Sequence, residues 1–141
     1  MIKIKYKTTL LIIFFLLVLS LQVISAKQLP LIDTIIVVDP GHGGRDSGTT
    51  YGEILEKDIN LEISKVLKKE LQSNGATVYM TRTKDEDLSS IYDPAKKRGD
   101  LYRRLLLLHN KKSDLYISIH INWYPNTSIS GAEVLYNEIN P

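Results

Sequence analysis

Two histidines at the ends of β-branched runs carry the main chemical possibilities of this chain. His42 lies in the stretch Asp39 to Gly44, DPGHGG, directly after the apolar run Thr34 to Val38. A β-branched run that ends in Asp-Pro and a glycine-rich turn reads as a strand delivering a reactive group at its tip. Gly41, Gly43 and Gly44 clear side chains from around the imidazole and permit backbone angles other residues avoid. His120 lies at the end of a second such run, Leu115 to Ile121. There Leu115, Ile117, Ile119 and Ile121 share one face, and Tyr116, Ser118 and His120 share the other. A catalytic zinc takes three protein ligands from His, Asp and Glu and leaves a fourth position to water, which it acidifies to near neutrality. Glu56, at the start of a helical segment, is the candidate third ligand. Spacing alone leaves other roles open. His42 could be a loop histidine bonded to the backbone, and His120 a satisfied core histidine. Glu56, Asp58 and Glu62 could be a solvated helix start, where carboxylates favour the dipole.

The elements that must position these groups alternate. A first strand is expected from about Ile35 to Asp39, followed by an aperiodic loop from Gly41 to about Leu55, long enough for a compact domain to be functional. Near Glu56 to Asn74, Ile59, Ile63, Val66, Leu67 and Leu71 recur at helical spacing, and Gly75 fits the stop. Ala76 to Thr81 reads as a second strand at the distance of a right-handed parallel crossover. Lys84 to Tyr92 is an acidic loop. Asp93 and Pro94 resemble the N-cap and first turn of a helix to about Lys112, with Leu101, Leu105 and Leu108 as apolar positions. Leu115 to Ile121 is the third strand and Gly131 to Tyr136, GAEVLY, a fourth. The pattern predicts an α/β domain with a mainly parallel sheet flanked by helices, in which ligands gather beyond the carboxyl ends of the strands.

The first part of the chain is set apart from this domain. Lys3, Lys5 and Lys7 precede an unbroken apolar run from Leu10 to Leu19, the layout of an export signal, with Ile24 to Ala26 as a poor cleavage site. Residues 1–26 are therefore expected to be a signal peptide or an N-terminal membrane anchor, residues 27–33 a linker, and residues 34–141 the domain. The net charge of +2 is more than accounted for by those three lysines, and the remainder carries −1. Such a domain has no electrostatic footprint for nucleic acid. With no cysteine there is no disulfide framework, so any metal must be held by histidine and carboxylate.

The ordered set VVDPGHGG, GEILEKDINL, DLYISIHIN and GAEVLY resembles the zinc-dependent N-acetylmuramoyl-L-alanine amidases that cleave bacterial peptidoglycan. The resemblance runs from about Thr34 to the end of the chain and is nearest to the sporulation-associated members. It implies a phosphorylase/hydrolase-like three-layer fold, of which the carboxyl-terminal part is missing here. It places the zinc ligands on His42, Glu56 and His120. It also implies hydrolysis of the amide between the lactyl group of muramic acid and the first L-alanine of the stem peptide. The chain would then be exported to the outer face of the cytoplasmic membrane or the cell wall, with peptidoglycan as its partner and the membrane touched only through the N-terminal segment.

The chain also departs from the family. A late glutamate, in a Glu, Thr, Gly, Phe type motif, acts there as general base, and neither Glu133 nor Glu138 lies in such a motif. General acid–base catalysis contributes about 100- to 10,000-fold, so the alternative is a catalytically impaired module that binds metal, wall or a protein partner covering the incomplete domain. Arg104 stands where the family usually has arginine, and either pairs with a carboxylate near the site or lies on a solvated helix face. Arg82 is similarly placed, without an assignable role, and His109 reads as structural. Asp85, Glu86 and Asp87 read as a solvated turn, lacking the ligand spacing of a calcium loop. Trp123 and Tyr124 could line a substrate groove or pack in a loop.

Overall fold

A computed structural model describes residues 3–23, 29–89, 96–123 and 128–136. The elements in order are α1 (Lys3–Val23), β1 (Ile35–Pro40), β2 (Thr50–Tyr51), β3 (Ile54–Leu55), α2 (Glu56–Ser73), β4 (Thr77–Met80), α3 (Lys96–Lys111) and β5 (Leu115–Ile119). The chain divides into two units, residues 1–30 and 31–141. In the first, α1 exposes its side chains from Tyr6 to Val18. Among the described residues, no helix is long and apolar enough to cross a membrane.

In the second unit, β1 is the middle strand of a parallel sheet of order β4-β1-β5. Ile36 pairs with Val78 on one side and Leu115 on the other. The chain leaves β1 in one direction for β4, then returns past β1 to β5. Right-handed crossovers in opposite directions put their helices on opposite faces of a sheet, and the alternating side chains of β1 record this. Ile36 and Val38 pack with Val78, Leu67 and Leu71 on the α2 side, joined by Ile117 and Ile119. On the other face Asp39 meets Arg104 of α3, and Lys111 of α3 lies over the Tyr79 ring. The expected α/β architecture, with a parallel sheet flanked by helices, is thus present, and β1 ends where the path reverses.

Several local expectations differ from the structure. The loop after β1 is not structureless, because β2 and β3 form a short antiparallel hairpin turned at Gly52. The buried side of α2 is Glu56, Lys57, Asn60, Leu61 and Ser64, continued by the partly buried Leu67 and Leu71. Ile63 and Val66 are exposed instead. A polar helix start was drawn inward by the loop and site that it serves, which rotates the apolar stripe. In α3 the buried residue is Arg104, while Leu101 and Leu105 are exposed. Gly131 to Tyr136 forms no strand, and Val134 and Leu135 are exposed. β propensity without a ladder partner does not make a strand. Asp93 and Pro94 lie outside the described residues.

Ile36, 1% exposed, and Val66 make a paired test of this core. Ile36→Ala is expected to cost about 2–5 kcal/mol through lost packing and the cavity left behind. Val66→Ala is expected to change stability by no more than about 0.5 kcal/mol. Denaturant unfolding of both variants measures the difference.

Candidate metal centre

His42 is delivered by β1, His120 by β5 and Glu56 by the first residue of α2. The β1–β5 ladder runs on past the strand ends, with the Gly41 amide donating to the Ile119 carbonyl at 2.9 Å. That bond brings the two histidines side by side, with ring centroids 4.8 Å apart and planes nearly perpendicular. Glu56 Oε1 stands 3.3 Å from His42 Nε2 and 3.1 Å from His120 Nδ1. One ligand atom from each residue falls within 4.8 Å of the others. The spacing therefore juxtaposes all three candidate ligands across 78 residues of sequence.

This arrangement fits zinc. Tetrahedral coordination with bonds of about 2.0–2.2 Å sets ligand atoms roughly 3.3–3.5 Å apart, and the two edges meeting at Glu56 are already close to that. At two positions the backbone comes so close that only glycine fits beside these side chains. A Cβ on Gly41 would lie 2.3 Å from the His120 ring, and one on Gly48 would lie 2.6 Å from both Glu56 Oε2 and His42 Cδ2. Gly48 also has φ of 65°, the left-handed region that glycine tolerates.

The candidate ligands are oriented by partners that sequence reading did not single out. Asp46 Oδ2 is 3.0 Å from His42 Nδ1, so a proton on Nδ1 leaves Nε2 free to ligate, the carboxylate–histidine arrangement common behind metals. Burial would raise the Asp46 carboxyl, but hydrogen bonds from His42 and the Gly48 amide hold it below its ordinary value. Glu56 is 5% exposed. Its Oε2 accepts from the Thr49 amide at 2.8 Å, and its Oε1 from the Ile121 amide at 3.0 Å and Asn60 Nδ2 at 3.3 Å. Burial alone would raise its pKa; these bonds, with His120, outweigh it and hold the carboxyl down at about 2. Glu56 is accordingly an anion throughout the physiological range, as a ligand must be. A readable signal existed for Asn60, which follows Glu56 by one helical turn on the same face, and for Asp46, four residues beyond His42.

Behind the site lies a second buried carboxylate. Asp39 accepts from Arg104, Thr81, Tyr116 and Ser118. Burial would raise this carboxyl, but the Arg104 charge and the hydroxyls of Thr81 and Tyr116 keep it below its ordinary 3.8. Arg82, also buried, donates to the carbonyls of Pro40, Gly41, Lys57 and Lys84, which supplies the role the sequence did not assign. The acidic loop is exposed at Lys84 and Asp85, as expected of a solvated turn, but its carboxylates are also engaged. Asp85 takes hydrogen bonds from Lys57 Nζ at 2.6 Å and the Gly44 amide at 2.7 Å, and Asp87 from Arg45 at 2.7 Å. These bonds tie the glycine turn to the segment after β4. His109 and Trp123 are exposed; Tyr124 and Glu138 lie outside the described residues. Glu133, exposed, accepts from Asn122. Glu62 pairs with Lys65 on the outer face of α2, and Asp58 is exposed. A cleft of about 400 Å³, lined by His42, Gly43, Arg45, Asp46, Asp87, Lys97 and Asp100, opens beside the candidate ligands.

The family model described as N-acetylmuramoyl-L-alanine amidase matches residues 36–141. The germination-specific N-acetylmuramoyl-L-alanine amidase of Bacillus subtilis is 43% identical over 112 residues, 77% of this chain and 47% of that protein. Among solved structures, the CwlD amidase of Clostridioides difficile in complex with the GerS lipoprotein aligns at TM-score 0.64. It is 30% identical and covers 69% of this chain and 52% of its own. The catalytic domain of CwlV, an N-acetylmuramoyl-L-alanine amidase of Bacillus (Paenibacillus) polymyxa var. colistinus, aligns at TM-score 0.56. It is 27% identical and covers 68% of this chain and 49% of its own. The chain thus spans about half the length of these relatives.

Gly41→Ala is expected to keep the sheet but displace the His120 imidazole and abolish stoichiometric zinc binding, as read by metal content and circular dichroism. A second expectation concerns acid. Because the Asp39 pKa is lowered in the folded chain, its contribution to stability is complete above about pH 4. It is lost as pH falls through the folded value. Unfolding measured across this range should show a flatter acid limb for Asp39→Asn than for the parent.

Proposed function

The chain belongs to the N-acetylmuramoyl-L-alanine amidase family, and from that premise we propose that it hydrolyses the amide between N-acetylmuramic acid and L-alanine in peptidoglycan, with zinc held by His42, Glu56 and His120. The observation that carries this reading is the convergence of these three side chains, with ligand atoms inside 4.8 Å, at one edge of a parallel sheet. A bound zinc would supply Lewis acidity, polarising the scissile carbonyl and bringing the pKa of a water toward 7.

The chain's own residues do the rest. Glu56 brings a negative charge, which lowers the cost of gathering a dication between two imidazoles. Asp46 keeps the His42 proton on Nδ1, so that Nε2 presents its lone pair. Gly41 and Gly48 let the backbone come close enough for the imidazoles to meet. The 400 Å³ cleft beside His42 is where the sugar–peptide junction would lie, with the Arg45 and Lys97 heads at its wall.

Export to the wall is the matching location, supported by the basic then apolar order of residues 3–19 and by a Staphylococcus aureus relative described as a probable cell wall amidase. A protein partner is supported by the lipoprotein complex of the Clostridioides difficile relative. It is supported as well by the exposed Leu101, Leu105, Val134 and Leu135.

A second reading, a module that binds metal or wall without turnover, is favoured by how the nearby carboxylates are engaged. Among the described residues, Asp46 is paired with His42, and Asp39 and Asp100 are paired with Arg104. Incubation with purified peptidoglycan, reading newly freed alanine N-termini, separates the readings. The amidase reading expects release that His42→Ala and His120→Ala abolish together with zinc content. Release only by a version extended to the length of the relatives would assign the missing factor, about 100- to 10,000-fold, to a general base. No release by either version would favour the binding module, and zinc content unchanged in both alanine variants would remove the metal site.

A further inference from the structure

Arg104 is 4% exposed, ligates nothing and takes no part in the hydrolysis described above. Yet it bonds the main chain of a proposed ligand. Its Nη2 donates to the His42 carbonyl at 2.9 Å, and its Nη1 donates to the Pro40 carbonyl at 2.9 Å and to Asp39. Its Nε donates to Asp100 at 2.7 Å.

His42 needs such a restraint. Its φ of 63° puts a residue with a Cβ in the left-handed region, an unfavourable conformation that persists only where surroundings over-determine it. Three successive carbonyls leading into the turn are held by buried guanidinium groups: Pro40 by Arg82 and Arg104, Gly41 by Arg82, and His42 by Arg104 alone of the two. Asp39 and Asp100 aim the Arg104 fork from two sides, so its reach to His42 depends on a carboxylate that never touches the metal centre.

We propose that Arg104, aimed by Asp39, is a positioning residue that locks the His42 main chain in its left-handed conformation and thereby sets the metal affinity of the site. The proposal rests on the zinc reading and deepens it. Arg104→Lys keeps the charge but cannot bond Asp39, Asp100 and two carbonyls at once with a planar fork. Ile36→Ala is the companion variant, because it lowers stability through the apolar core without removing a partner of Asp39, Arg104 or the turn.

The full chain and both variants are compared by zinc competition against a chromophoric chelator, by denaturant unfolding, and by amide hydrogen exchange without metal. Arg104→Lys is expected to weaken zinc affinity on the order of 10- to 100-fold, the usual effect of losing an outer-shell partner. It should also speed exchange at Gly43 and Gly44 while sparing Val37 and Val38. Ile36→Ala should lower stability and leave zinc affinity unchanged. Zinc affinity retained in Arg104→Lys, or lost equally in both variants, would overturn the positioning role and leave an ordinary ion pair. If the parent chain binds no zinc, the metal reading fails by itself and exchange decides. Opening confined to the turn in Arg104→Lys sustains the positioning role, and uniform opening overturns it.

Discussion

The Glu56 carboxylate is where three separate stretches of chain are joined. Its two oxygens accept from the Thr49 amide in the loop after β1, from Asn60 one turn along α2, and from the Ile121 amide beyond β5. A buried carboxylate is tolerated only when its lone pairs are occupied, so the loops must close around this one. Closing them brings both histidines to the same atom. The group that would hold a cation thus also holds the loops that supply its other ligands.

The second constraint is the reversal of the chain at β1. Because β4 and β5 lie on opposite sides of it, α2 and α3 cover opposite faces. Glu56 and Asn60 therefore reach the strand tips from one face, and Arg104 reaches them from the other. The centre of the sheet is a narrow apolar layer of Ile36, Val37, Val38 and Val78. The polar groups are confined to its carboxyl end, where two buried arginines satisfy the carbonyls of the turn. Such a distribution separates the part of the domain that stabilises it from the part that gathers the candidate metal ligands. The apolar surface on α3 and the segment around Val134 stays exposed, in a chain about half as long as its relatives.

Strands β1, β4 and β5 and helix α2 were legible in the sequence to within a residue or two, because β-branched runs, helical spacing and a terminal glycine are local signals. The same signals misplaced the inward face of α2 and α3. Ile63, Val66, Leu101 and Leu105 looked like core from periodicity, but the buried positions include Asn60, Ser64 and Arg104. Where a helix serves a polar site, hydrogen bonds to distant backbone outweigh hydrophobic patterning. GAEVLY failed as a strand for the complementary reason, since β propensity without a ladder does not make one.

By itself, then, the sequence determined that a parallel α/β sheet would present His42 and His120 at strand ends with Glu56 at a helix start, since strand alternation and crossover handedness follow from backbone sterics. Only the tertiary structure decided how close those groups come and what fixes them. Asp46, Asn60, Asp39, Arg82 and Arg104 act through hydrogen bonds whose lengths depend on strand register and side-chain rotamers. Most of those bonds join residues far apart in sequence, and the pattern along the chain carries no record of them.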